Sequence, residues 1–195
     1  ESATALACSL LDKNPFQSSA VRESKTRTAE ILEKIATKQQ LPSSTVRVGE
    51  AELELYAERE TRRELSTLNM GEALRSFFEL RQENGYLALL PFMDLNSTEM
   101  ATLRRISDQL EARLGIPVLM TPGPRYLHTF GQVYAGGPEK GLFILVTAKP
   151  EKDLAIPGAG YSFGQLQVAL AMGDFESLGR QRKPVIRLHL TSGTE

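Results

Sequence analysis

Little in this chain is extreme, and each shortage excludes something. Its 195 residues contain a single cysteine, Cys8, so no disulfide closes within the chain and packing alone must hold the fold. A lone cysteine inside an apolar stretch reads as a small buried hydrophobe and fits a reducing, cytoplasmic compartment. Lysine and arginine number 23 against 24 acidic residues, a formal net charge of −1. No global field therefore draws the protein to nucleic acid or to an anionic membrane. No apolar run approaches the ~20 residues that cross a bilayer, and no basic stretch leading into an apolar core suggests a signal peptide. Two histidines and one cysteine offer no metal-ligand spacing. A Gly-x-Gly-x-x-Gly turn, a phosphate-loop lysine and a Gly-x-Ser-x-Gly elbow are all missing, so neither a nucleotide site nor a hydrolase triad is supported, and no cofactor is called for. Internal repeats and low-complexity tracts are absent too.

What is present is an ordinary globular mixture, 41% hydrophobic and 24% charged, long enough for one domain or for one domain plus a fragment. Residues 1–25 open with Ala3, Ala5, Leu6, Ala7, Leu10 and Leu11, which suit a buried helix face, and reach a turn at Asn14-Pro15. Residues 21–38 form a helix with Ile31, Leu32 and Ile35 on one face and a Glu30–Lys34 pair on the other. A polar linker spans 39–45. Leu53 and Leu55 then alternate with Glu52 and Glu54 in a strand over 46–57, and a charged run at 58–63 is most simply solvated. A helix is expected over 65–81, with Leu68, Leu74, Phe77, Phe78 and Leu80 as core residues.

From residue 85 onward strands and helices alternate. Residues 86–92 (YLALLPF) and 142–148 (LFILVTA) are continuous apolar runs, as expected of strands covered on both faces. Between them lie a helix over 97–114, capped by Ser97 and closed by Gly115, a short strand over 116–120, and a Gly-rich polar loop over 125–141. A helix over 162–180 and a strand over 185–190 follow, the strand setting Val185, Arg187 and His189 against Ile186, Leu188 and Leu190. The alternation argues for an α/β fold with a mixed or largely parallel sheet and helices on both faces, preceded by a helix-turn-helix fragment. Three segments result: 1–40, 41–63 as linker and strand, and 64–195 as an α/β domain.

Two places can carry chemistry. Lys25 follows a turn, lies in the first turns of a helix among Arg22 and Arg27, and can bind a phosphate or act in proton transfer; from position alone it reads first as a solvated helix lysine. The second is the segment from Gly123 to Gln132. There Arg125 is a fork donor for phosphate or carboxylate, and glycines permit close backbone approach. Two readings of this segment stay open: an anion held by Arg125 and loop amides with His128 beside it, or a structural loop with Arg125 paired to an acid and His128 buried. His189, on a strand, reads as structural.

Asn14-Pro15-Phe16 followed by Val21-Arg22-Glu23-Ser24-Lys25 resembles the C-terminal signature of phosphoglucose isomerases, an Asn-Pro-Phe-Asp-Gln turn followed by Val-Glu and a lysine at this spacing. Gln17, Ser18 and Arg22 replace the Asp, the substrate-contacting Gln and the Glu of that pattern. The run GPRYLHTFGQVYAGGPEKGLFILVT, beginning at Gly123, is similar to the C-terminal region of the bifunctional transaldolase/phosphoglucose isomerases, with Thr129-Phe130 in place of Ser-Thr and Tyr134-Ala135 in place of His-Lys. Ile156-Pro157-Gly158, Tyr161-Ser162-Phe163-Gly164, Gly173-Asp174 and Arg187-Leu188-His189-Leu190 resemble the end of the same family.

The resemblance implies that residues 1–40 close a sugar-isomerase domain and that 64–195 are appended to it. The implied reaction interconverts glucose 6-phosphate and fructose 6-phosphate. Lys25 takes the catalytic part, at the sugar-phosphate site and in ring opening. Ser18, Arg125, His128 and Gln132 are the candidate substrate-binding residues. The carboxylate base and the transaldolase barrel belong to upstream domains, the expected partners besides a sugar phosphate and a second copy in a homodimer. A reading of another class stands beside it: a non-catalytic module for assembly or for binding an anionic metabolite at the Arg125 loop.

Overall fold

The structure is a computed structural model, and it describes residues 1–12, 14, 19–38, 46–93, 98–137, 139–150 and 152–191. The expected linker over 39–45 and the Ser97 cap lie outside the described residues.

The protein is α/β. A six-stranded mixed sheet in the order β1-β2-β6-β5-β3-β4 has helices on both faces. Strands β3 (Tyr86–Phe92), β4 (Val118–Met120), β5 (Gly141–Ala148) and β6 (Val185–Leu190) run parallel, while β1 (Val48–Glu50) and β2 (Leu53–Ala57) form a hairpin that joins β6 antiparallel. The apolar runs at 86–92 and 142–148 become β3 and β5, buried on both sides as central parallel strands must be. Leu87, Leu89, Leu142, Ile144 and Val146 pack to one face with Phe77 of α4 (Met70–Glu79) and Met100 of α5 (Thr98–Leu114). Ala88, Leu90, Phe92, Phe143 and Leu145 face the other way, toward Phe175 and Leu178 of α7 (Phe163–Arg180).

Local signals set the ends of these helices. Asn69 Oδ1 accepts the Glu72 backbone N–H at 2.9 Å and starts α4. Ser162 and Gln165 exchange backbone hydrogen bonds at 3.1 and 2.9 Å in a capping box that starts α7. Gly115 ends α5 at φ +66, a left-handed conformation that suits glycine.

The long helix α2 (Ser19–Lys38) forms a further layer outside α7. Its Ile31 and Ile35 bury against Ala169 and Met172. The helices come so close that a Cβ at Gly173 would stand 2.3 Å from Thr28 Oγ1 and 2.9 Å from the Thr28 backbone nitrogen. The expected helical face of 21–38 is therefore correct, but it packs on a helix and not on the sheet.

Several expectations change. The strand over 46–57 is a two-stranded hairpin, because Ala51 turns the chain at φ 49. The charged run at 58–63 is a short helix, α3 (Arg59–Glu64), whose inward Thr61 accepts the Val185 backbone N–H at 3.1 Å. Helix α4 begins only at Met70, which leaves Leu68 82% exposed. Helix α1 (Ser2–Leu10) buries no residue, and Leu6, Leu10 and Leu11 on it and at its end are exposed. Among the described residues no helix is long and apolar enough to cross a membrane.

The close approach at Gly173 gives a direct test. Gly173→Ala should destabilise the chain by about 1–3 kcal/mol in urea unfolding, because the added methyl meets backbone of α2. Gly158→Ala has open space around its Cβ but a φ of +78, and should cost about 1 kcal/mol.

Candidate functional site

Lys25 lies on the exposed side of the first turns of α2, with Ser24 turned inward and buried. Arg22 is exposed, and Arg27 is tied to Glu30 at 2.7 Å. Ser18 lies outside the described residues.

The second candidate segment is not an open Gly-rich cradle. It folds into a 3-10 turn (Arg125–His128) and a one-and-a-half-turn helix, α6 (Gly131–Gly136). Two aromatic anchors force this. Tyr126 and Tyr134 are buried with ring centroids 5.6 Å apart, and Tyr134 also packs on Tyr86, Phe130 and Phe143 at 5.8, 5.6 and 5.6 Å. Its hydroxyl lies 3.2 Å from Thr121 Oγ1. With these rings inward, Arg125, His128 and Gln132 all keep contact with solvent. A buried His128 is thereby overturned, and Arg125 makes no ion pair among the described residues.

The two segments meet at Asp174. This carboxylate sits in the middle of α7, 1% exposed. Ser24 Oγ donates to its Oδ1, and the Tyr126 hydroxyl donates to its Oδ2 at 2.7 Å. Ser24 is the chain neighbour of Lys25, and Tyr126 is the chain neighbour of Arg125. One buried acid thus joins the immediate supports of both sequence-derived candidates. Gly131 closes the same junction, since a Cβ there would lie 3.1 Å from the Val21 side chain.

The electrostatics follow from burial. Removing the Asp174 carboxylate from water pushes its pKa up to about 6, and the hydrogen bonds from Ser24 and Tyr126 pull the other way without cancelling the shift. The Tyr126 phenol rises well above its usual range, through burial first and the Asp174 charge second. Asp174 is enclosed behind two hydroxyls and has no route to a substrate proton. Lys25, Arg125, His128 and Gln132, on the two segments that meet here, are each exposed to solvent. Exposed cationic and polar side chains can hold an anion and stabilise developing negative charge.

Sequence reasoning missed Asp174 as an organising residue. The one available signal was an acid interrupting the apolar face of a helix, between Met172 and Phe175. His189, read as structural, stands on β6 with Nδ1 2.9 Å from Thr147 Oγ1. Burial and the nearby Arg187 charge lower its pKa below the usual histidine range. A cleft of about 390 Å³ at the start of α7 is lined by Lys152, Asp153, Leu154, Phe163, Gln167 and Leu170 among others. Its helix N-terminus is already satisfied by Asp153, which accepts from Gly164 N–H at 2.8 Å and Ser162 Oγ at 2.5 Å. Among the described residues no group of His, Cys, Asp and Glu is placed to hold a metal ion.

No family model matches the chain, and no curated protein matches it. Among solved structures the fold is similar to that of a hypothetical protein from Thermus thermophilus, with a TM-score of 0.53 and 18% identity. The match covers 67% of this chain and 37% of that one, so the chain spans little more than a third of its neighbour's length. At this identity the likeness shows the fold alone.

The raised Asp174 pKa has a signed consequence. The folded chain keeps this proton at pH values where the unfolded chain, with an ordinary pKa of 3.8, has released it. Stability should therefore fall by roughly 2–3 kcal/mol as pH rises from near 3.8 through about 6. Asp174→Asn should flatten that part of the urea-midpoint profile, while Asp174→Leu, which strands both hydroxyls, should cost about 2–4 kcal/mol. An unchanged slope in the Asn variant would show that Asp174 does not titrate in this window.

Proposed function

We propose that this chain is the C-terminal portion of a sugar-phosphate isomerase that interconverts glucose 6-phosphate and fructose 6-phosphate, fused to a transaldolase in the full protein and acting in the cytoplasm. One observation carries the reading. The Lys25 segment and the Arg125 segment, which hold the two parts of the family resemblance, meet at a single junction through Asp174.

The chemistry assigns the parts. Isomerisation opens the sugar ring, removes the C2 proton to give an enediol, and returns a proton to C1. Lys25 assists ring opening and stabilises the developing oxyanion, while Arg125, with His128 and Gln132, holds the phosphate. The C2 base must be a carboxylate that reaches the substrate, and Asp174 is enclosed. That base comes from the upstream isomerase domain, which also covers Leu6, Leu10 and Leu11 of α1. The dimer expected from the resemblance belongs to the same reading.

Two measurements test it. The 195-residue chain alone should show no conversion in a coupled isomerase assay; robust turnover would overturn the assignment of the base to another domain. In the full-length protein, Lys25→Ala should lower kcat/KM by about 100-fold or more with the circular dichroism spectrum unchanged. Arg125→Ala should act mainly through KM. Isomerisation that survives Lys25→Ala would support a non-catalytic, metabolite-binding module instead.

A further inference from the structure

A second polar cluster lies elsewhere in the fold, on the α7 side of the sheet at the carboxyl ends of β5 and β6. Val185 on β6 faces the α7 core, so Arg187 and His189, two and four residues on, share that face. The register sets Tyr56 of β2 opposite Arg187, and both Glu54 and Thr147 opposite His189. Arg187 is only 5% exposed. Its guanidinium stacks 4.0 Å from the centre of the Tyr56 ring, and its Nη1 donates to Thr147 Oγ1 at 3.2 Å. Glu54, the nearest acid in the cluster, is turned to the Tyr56 hydroxyl, which donates to it at 2.5 Å.

The guanidinium is left incomplete. Among the described residues Arg187 makes no ion pair, and its buried Nε meets no hydrogen-bond partner. Nε and Nη2 form one edge of the guanidinium, the edge that takes two oxygens of a phosphate or carboxylate side-on, while Nη1 is already used on Thr147. Burial works against the Arg187 charge, and Tyr56 and the nearby Glu54 favour it without a direct ion pair. Glu54, Tyr56 and His189 are half-buried, so the charge lies just beneath a polar surface. Lys149 and Lys152, both exposed, follow β5 at the same end and add to the positive field.

We propose that the carboxyl ends of β5 and β6 form an anion site distinct from the Lys25 junction, in which the Nε–Nη2 edge of Arg187, with Thr147 and His189 beside it, takes the phosphoryl group of a small phosphorylated metabolite. The site uses none of the isomerase candidates and stands whether or not that reading holds.

The test titrates inorganic phosphate into the 195-residue chain, against chloride at equal ionic strength, by calorimetry and by the NMR signal of the Arg187 Nε–H group. Phosphate should bind and shift that signal. Arg187→Lys, which keeps the charge and loses the fork, and His189→Gln should each weaken binding about tenfold or more. A Lys25→Ala/Arg125→Ala double variant should still show the Nε–H shift. If Arg187→Lys fails to fold, His189→Gln and the Nε–H signal decide. Absence of phosphate binding, an unmoved Nε–H signal, or full affinity in a folded His189→Gln variant would each overturn the site and leave Arg187 a structural stack on Tyr56.

Discussion

Helix α7 is buried all round from Ala171 to Phe175, with the sheet on one side and α2 on another. A charge in the middle of such a helix must be answered from within the protein, and Asp174 is that charge. Its two oxygens are met by Ser24 from α2 and Tyr126 from the turn after β4. The next residue toward the N-terminus, Gly173, has no side chain, and only this lets α2 come near enough for Ser24 to reach. Close approach and the hydrogen bond to Asp174 therefore enforce one another. A slide of α2 by one residue would move Ser24 off the carboxylate and drive a different part of α2 into Gly173. The desolvation cost of a buried carboxylate is of the same order as the hydrogen bonds that meet it, so the junction adds specificity of register more than net stability.

The sheet decides where such features can sit. Strands β3 and β5 are apolar on both faces along most of their length, which leaves no room for chemistry at the centre. Strand β6 begins in the same way, with Val185 and Ile186 fully buried, and then admits Arg187 and His189. The change coincides with its pairing to β2, whose Glu54 and Tyr56 stand opposite those two residues. An edge hairpin added to a parallel sheet thus supplies the polar partners that a central strand would lack.

How legible all this is in the sequence depends on which interaction sets each element. Where one face of one element decides, the pattern suffices: the runs at 86–92 and 142–148, the helix face of Ile31 and Ile35, and Gly115 all fall where periodicity and chain chemistry put them. Where the deciding contact is a single residue, it does not. Ala51 turns a hairpin without the glycine or asparagine that marks one, and Thr61 alone orients a helix that otherwise looks like a solvated charge run. The segment after Gly123 hides its anchors, Tyr126 and Tyr134, inside a glycine-rich composition that suggests an open loop. Lys25 and Arg125 stand out by residue type, but the meeting of their segments at Asp174 rests on hydrogen bonds across 150 and 48 residues of chain. No local pattern encodes such pairings.

The buried charges of this fold fall into two kinds. Asp174 is completed inside the chain, where two hydroxyls occupy one hydrogen-bonding site on each oxygen and hold together three elements that share no sequence proximity. Arg187 is buried nearly as deeply, yet its Nη1 is engaged and its Nε is not. Glu54 on the neighbouring strand favours the Arg187 charge from a distance, while one of its oxygens accepts from the Tyr56 hydroxyl and orients the ring on which the cation stacks. That leaves the planar fork fixed in direction, without a direct ion pair, and beside a half-buried imidazole. A guanidinium fixed on an aromatic ring, with no ion pair and an unpartnered Nε, suits a side-on anion.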